Sequence, residues 1–299
     1  MYSRDILGVK VDLGLDVKGA AGVVEGLLNN EKTGQLVCTT NPEFVIEAQK
    51  DPEFRELVNY SSLSVADGVG ILAADYYLTK VNSVRSSFGP FRFVSLLGIG
   101  FITGLKTIVG GFSNNRVSGV KLCEELFKLS AQKGYSIFLL GGWPRDWKGR
   151  RLDIKEDFAQ LTAERMRQKY PGTNIIGASS EFYREEADDE RTLTYIKNVM
   201  KEKKIDSIDI LMVAYNQNKQ ERWISRNSSK IPAKVSIGVG GTFDYLIGHY
   251  RQVPVIMTKM GLDWLFRLFT QPFRIKRIFN AFPVFPIKIF LSSFKSKNQ

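Results

Sequence analysis

Asp67 is the residue in this sequence best placed for acid–base chemistry. It follows an apolar run (Leu63, Val65, Ala66), precedes Gly68, and is succeeded by a second apolar run, Val69–Ala74. A strand that ends in a carboxylate at a glycine turn is how α/β enzymes present an acid or base at the carboxyl edge of a sheet. The same residue in the same place can also cap the next helix or make the turn. Upstream, the β-branched run Gln35–Thr40 leads into Asn41-Pro42-Glu43, so Thr39, Thr40 and Asn41 lie at a strand-to-helix switch. Small hydroxyls and backbone N–H groups there can hold a polar ligand, or Asn41 can simply cap the helix that Pro42 begins. Gly141-Gly142, Asn216–Glu221 and Gly240–Asp244 also follow short apolar runs. Glycine pairs let backbone N–H groups approach an anion such as a diphosphate, and they serve equally well in turns.

These groups need elements to position them. Helices are predicted over residues 17–30, 43–50, 52–58 and 119–134, the last with Leu122, Leu126 and Leu129 on one face. Further helices are predicted over Phe158–Tyr170, Glu190–Lys204 and Lys219–Asn227. Between them Tyr135–Leu140, Asn174–Ala178, Ile208–Ala214 and Lys234–Val239 read as buried strands. The alternation predicts an α/β fold, a Rossmann-like, mostly parallel sheet with helices on both faces. Ligands of such sheets sit beyond the carboxyl ends of the strands. That rule gathers every candidate above into one place and favours a nucleotide or nucleotide-sugar pocket. Arg251, just beyond the last glycine cluster, is a local candidate to meet a diphosphate.

The net charge of the 299-residue chain is +11, and its distribution is uneven. Residues 251–299 carry +8, residues 76–115 carry +4, and the remainder is −1. Both basic segments are rich in Phe, Leu and Ile, a pattern suited to an anionic lipid surface. A helix packed on its own domain is the alternative, and no nucleic-acid-binding motif is present. The expected organisation is an α/β domain over 1–250, an apolar insert at about 76–115, and a helical, membrane-associating appendage over 251–299. Within the insert, residues 93–112 hold eleven large apolar residues, five glycines and one charge, Lys106. The length suits a membrane span, yet α/β units flank it, so a re-entrant hairpin, an interfacial element or a buried hairpin is expected instead. Gly98-x-Gly100 lacks the strand–turn–helix context of a dinucleotide fingerprint. The amino terminus has no signal-peptide pattern. Two cysteines and a single histidine, His249, imply neither a disulfide framework nor a zinc site. His249 reads as a satisfied loop residue rather than a base, and Trp143 and Trp147 as packing or pocket-rim residues. The cytoplasmic side of a membrane is the expected location.

Several blocks resemble, in order, the WecG/TagA/CpsF family of bacterial glycosyltransferases. They are TTNPEFV (39–45), ADGVGI (66–71), RVSGVKL (116–122), FLLGG (138–142), YPGTNIIG (170–177), KQERWI (219–224), GVGGTFDYLIGHYRQVP (238–254) and GLDWLFRLFTQPFRIKRIF (261–279). The resemblance implies inverting transfer of a sugar from a UDP-sugar to a polyprenyl-diphosphate-linked acceptor in cell-surface polysaccharide synthesis. The sugar would be an N-acetylhexosamine such as N-acetylmannosamine, or a hexose or uronic acid. No metal or other cofactor is implied. Carried over to matching positions, Asp67 would be the base with Thr39 and Asn41 beside it, and Arg116, Gln220, Glu221 and Asp244 would bind donor or acceptor. The appendage would bring arginines over the site.

Together with the strand-end argument this gives a catalytic set of Asp67, Thr39 and Arg251. The substrate-binding set is Thr40, Asn41, Arg116, Gly141, Gly142, Gln220, Glu221, Gly240, Gly241 and Asp244. Two departures stand out. Asn216-Gln217-Asn218 replaces the family's usual Gly-x-Pro, and the apolar insert separates blocks that are normally close. A non-catalytic partner of a glycan assembly complex and a nicotinamide-dependent oxidoreductase are the alternative readings. A homo-oligomer that covers the appendage in solution stays open.

Overall fold

Successive residues of the central strands point to opposite sides of the sheet, and both sides are apolar. Val37, Leu139, Ile210 and Met212 enter one cluster, while Cys38, Phe138, Leu140 and Leu211 enter clusters on the other. Such strands need cover on both faces, which crossover helices supply. A computed structural model describes residues 1–30, 32–83, 90–144, 146, 150–152 and 156–295. Its elements begin with β1 (Tyr2–Ile6), β2 (Val9–Leu13), α1 (Val17–Leu28), β3 (Gln35–Thr40), α2 (Pro42–Ala48), α3 (Pro52–Asn59) and β4 (Leu63–Ala66). There follow α4 (Val69–Ser83), α5 (Pro90–Ile108), α6 (Gly119–Lys133), β5 (Ile137–Gly141), α7 (Phe158–Lys169), β6 (Ile175–Ser179) and α8 (Asp189–Lys203). The chain continues through β7 (Ile208–Ala214), α9 (Lys219–Asn227), β8 (Ala233–Gly238) and α10 (Thr242–Leu246). It closes with α11 (Val255–Lys259), α12 (Asp263–Thr270), α13 (Ile275–Phe279) and α14 (Phe285–Lys295).

The strands form one sheet in the order β1-β2-β4-β3-β8-β7-β5-β6. Every neighbouring pair is parallel except β1 and β2. The expected Rossmann-like α/β architecture is therefore present. Helices α1, α6 and α7 cover one face, α2, α3 and α4 half of the other, and α8 and α9 the remainder. The β1–β2 hairpin is an addition to the predicted elements. It turns at Leu7 and Gly8, both at positive φ (55° and 80°), and gives the sheet an antiparallel edge.

The insert is not a hairpin of either kind. Its described part holds the end of α4, the helix α5, which packs on α4 and α14, and a short turn at Ser113–Asn115. Residues 93–108 lie within α5 alone. The appendage folds back rather than standing apart, with Phe285 and Ile289 of α14 joining the core of α2, α3 and α4.

Candidate active site

Strand register assembles the site. Thr39 pairs with Val65 and Thr40 with Ala66, and the Asp67 N–H donates to the Thr40 carbonyl at 2.8 Å. Asn41 and Asp67 thus leave adjacent strands side by side. Asn41 caps α2, its Oδ1 accepting from the N–H groups of Glu43 and Phe44. The Val117 N–H donates to the Ala66 carbonyl at 3.1 Å, which holds Arg116 against the end of β4. One Nη of Arg116 lies 3.8 Å from Asp67. The other donates to both carboxylate oxygens of Asp263, at the start of α12, at 2.9 Å. The Asp67 side chain keeps 26% exposure, toward the cleft. Burial pushes its carboxyl above the usual range, against the pull of Arg116 and Arg267, and Asp263 adds to the rise. A carboxylate made more basic in this way is suited to take a proton.

Two cavities of opposite character meet at Asp67. The polar one, of about 100 Å³, is lined by Thr39, Ser118, Gln217, Gln220, Gly240 and Tyr245 among others. The apolar one, of about 700 Å³, lies between α4, α5 and α14 and is lined by residues such as Tyr77, Thr103, Phe282, Phe285 and Ile289. Asn41, Asp67, Arg267, Arg274 and Arg277 line both. The Nε atoms of Arg267 and Arg274 are buried without a hydrogen-bond partner. Arg277 pairs with Glu43 and donates to Gln217 Oε1 at 3.2 Å. Burial pushes the Arg274 guanidinium down, and the like charges of Arg277 and Arg267 push the same way. Three convergent guanidinium groups with donors to spare suit a bidentate anion such as a diphosphate.

Gln220 and Glu221 act as a pair at the start of α9. Gln220 Oε1 accepts from the Gly240 N–H at 2.9 Å, and its Nε2 donates to Glu221 Oε1 at 2.7 Å. A β-carbon on Gly238 would come within 2.4 Å of both side chains, so only glycine lets them seat against the end of β8. Gln220 lines the polar cavity, whereas Glu221 lies behind it. Burial pushes the Glu221 carboxyl up to about 7, opposed by its hydrogen bonds. Asp244 is buried in the first turn of α10. Its carboxylate and Arg274 flank Gly241, whose β-carbon position is 3.2 Å from Asp244 Oδ2 and 3.3 Å from an Arg274 Nη. Asn216 and Asn218 sit at φ 68° and 69°, asparagine being among the residues that tolerate positive φ. Their loop is tied to α2 by Gln217 and Asn218, which both donate to the Glu47 carboxylate.

Several sequence-derived assignments are corrected. Thr40 is fully buried, its Oγ1 2.7 Å from Ser64 Oγ, because the pleat sends alternate side chains to opposite faces. Gly141 and Gly142 line neither cavity. At φ 85° and 87° they clear the rings of Tyr215 and Phe243, each 2.7 Å from where a β-carbon would stand. Strand order explains this, since β5 lies beyond β7 from the site. The N–H groups of Gly142 and Gly240 are taken by Ala214 O and Gln220 Oε1, so these two amides are not free to cradle an anion. Arg251 is exposed between α10 and α11 and lines neither cavity.

The remaining candidates fall as follows. His249 packs on Phe158 and Tyr250. Trp143 stacks on Tyr215 and donates to the Ser180 carbonyl. Trp147 lies outside the described residues. Asp263, Arg267, Arg274 and Arg277 are the site residues that sequence reasoning did not single out, although the +8 excess in 251–299 pointed to them. Among the described residues no cluster of three or more His, Cys, Asp or Glu side chains could hold a metal ion.

A doubly covered, mostly parallel sheet thus places Asp67 at a strand's carboxyl end between a polar and an apolar cavity, where ligands of Rossmann-like folds sit. The sequence model of the glycosyl transferase WecG/TagA/CpsF family matches residues 4–90 and 83–299, and the chain belongs to that family. It is a glycosyltransferase, and the oxidoreductase and scaffold readings are set aside. The chain is 25% identical over 285 residues to the N-acetylglucosaminyldiphosphoundecaprenol N-acetyl-beta-D-mannosaminyltransferase of Staphylococcus aureus (strain MRSA252). That alignment spans 95% of this chain and 91% of the relative.

Proposed function

We propose that this glycosyltransferase moves N-acetylmannosamine, or a close N-acetylhexosamine, from a UDP-sugar to a sugar linked through diphosphate to a polyprenyl chain, at the cytoplasmic face of the membrane. The observation that carries the reading is the place of Asp67, on the wall shared by a polar and an apolar cavity. The donor occupies the polar cavity, against Thr39, Asn41 and Gln220. The acceptor sugar arrives from the apolar side with its lipid. As the acceptor hydroxyl attacks the anomeric carbon, Asp67 takes its proton. The new C–O bond forms while the bond to the diphosphate breaks, and UDP departs with its charge held by Arg267 and Arg274. One displacement inverts the anomeric configuration. With the guanidinium groups carrying the diphosphate charge, the reaction needs no metal ion.

The test uses detergent-solubilised protein, UDP-N-acetylmannosamine and a lipid-diphosphate-linked N-acetylglucosamine acceptor. Turnover persists in EDTA, and the product shows the inverted anomer by NMR. Asp67→Asn lowers kcat by about 10²–10⁴, while calorimetry gives unchanged UDP affinity. Activity that vanishes in EDTA and returns with magnesium would overturn the metal-free mechanism. A retained anomer overturns the single displacement, and a fully active Asp67→Asn overturns the base.

A further inference from the structure

Helix α5 has two unlike faces. Toward the protein, Leu96 and Thr103 are buried, and Arg92 donates to the Ser293 carbonyl of α14 at 2.6 Å. Phe93 packs against Phe290 and Phe294 of α14. On the other side Phe91, Val94, Phe101, Ile102, Leu105 and Ile108 are all exposed, Phe101 by 70%. Only 11% of the window Phe91–Ile108 is buried, so α5 is not a core helix. Helix α14 repeats the pattern. Phe285, Ile289 and Ser293 turn inward at a spacing of four, while Ile287, Leu291 and Phe294 face out. Joined by the Arg92 and Phe93 contacts, the two outer faces make a continuous apolar surface of the kind that marks an interaction site.

Charge identifies what this surface meets. Residues 76–115 carry four basic residues and no acid, and α14 contributes Lys288. Lys106 reaches back over the Tyr76 ring, its Nζ 4.2 Å from the centroid. Exposed apolar side chains on elements that also carry the exposed Lys80 and Lys288 and no acid between 76 and 115 match an anionic lipid interface. The apolar cavity opens on the same side, since its lining includes the exposed Gly104 and Ile108 of α5 and the exposed Pro286 of α14. A β-carbon on Gly104 would meet nothing within 4 Å.

We propose that α5 and α14 form a docking face that beds in an anionic bilayer, and that the apolar cavity opens onto it as a lateral portal for the acceptor's lipid chain. The docking half stands on the surface alone. The portal half rests on the lipid-linked acceptor proposed above. The insert thus supplies a membrane contact in addition to that of the C-terminal appendage, and the acceptor need not leave the bilayer to reach Asp67.

The test is flotation of the full chain with vesicles of phosphatidylcholine mixed with phosphatidylglycerol. Phe101→Glu with Leu105→Glu changes two exposed positions and keeps good helix formers. The double variant loses about tenfold or more in vesicle partitioning, with unchanged melting temperature and UDP affinity. Gly104→Leu fills the portal: it floats as the parent does, but raises KM for a long-chain acceptor and not for a short-chain one. Unchanged flotation of the double variant overturns the docking face. If instead light scattering shows that variant passing from oligomer to monomer with flotation unchanged, the face belongs to a second copy. Equal KM values for Gly104→Leu and parent on both acceptors overturn the portal. Lost flotation in a protein that turns over neither acceptor supports the docking face and removes the proposed reaction.

Discussion

Glu221, its Oε2 buried without a partner, keeps its proton up to about pH 7. Its carboxyl is raised above the ordinary value of 4.5, so between those values the folded state binds more protons than the unfolded one. Its contribution to stability is therefore complete below about pH 4.5 and is lost as pH rises through about 7, on the order of 3 kcal/mol in all. Glu221→Gln removes that titration and retains an acceptor for Gln220. The stability difference between parent and variant, from denaturant midpoints, then changes across this window and is flat outside it. A difference constant with pH would contradict the assignment. At this scale Thr39, Asn41 and Asp67 were legible in the sequence, because a strand running into a cap or a glycine turn is a local signal. Thr40 is buried although its neighbours Thr39 and Asn41 line the polar cavity, because adjacent strand residues face opposite ways. Glu221, expected to bind donor or acceptor, lines neither cavity and accepts from Gln220; its helix position alone does not separate the two roles.

Helix α12 reaches the site through Arg267, which lines both cavities, and through Asp263. Asp263 takes a guanidinium nitrogen of Arg116 with both oxygens, while its charge raises the Asp67 carboxyl. Asp263→Asn weakens the clasp between α12 and the end of β4, and limited proteolysis of residues 251–295 becomes several-fold faster. The same change removes a negative neighbour of Asp67 and frees Arg116 to turn toward it. Asp67 then titrates lower, and the acidic limb of the pH profile of kcat/KM moves to lower pH. An unmoved limb would separate Asp263 from the electrostatics of Asp67, the proposed base. Most elements were legible from apolar runs and caps; β3, β7 and α9 have the predicted bounds. The β1–β2 hairpin escaped because its strands are only five residues each, and YSRDI of β1 shows no alternation of apolar and polar residues. Strand order is set by long-range packing, so nothing near Gly141 placed it outside the site. The return of α12–α14 is equally non-local, which is why Arg251 stood in for Arg267 and Arg274.

Across the whole molecule, the excess positive charge lies in the insert and the appendage; Arg267, Arg274 and Arg277 line the site, while Lys288 stands exposed on α14. Attraction of that charge to anionic lipid is screened by salt, as the Debye length falls from about 10 Å at 0.1 M to about 3 Å at 1 M. Partitioning onto phosphatidylglycerol-containing vesicles therefore drops over that range, while the weaker partitioning onto pure phosphatidylcholine stays level. A salt-independent affinity for the anionic vesicles would deny the basic residues any part in docking. Arg116 ties this outer layer to the sheet, because one guanidinium is divided between Asp67 of the strand end and Asp263 of the appendage. When Asp67 accepts a proton, its share of Arg116 weakens and the share of Asp263 strengthens. Such coupling is reciprocal by thermodynamic necessity. If Asp67 is the base proposed above, each proton it takes up tightens the hold on the appendage, and each firm seating of the appendage makes Asp67 readier to receive the next.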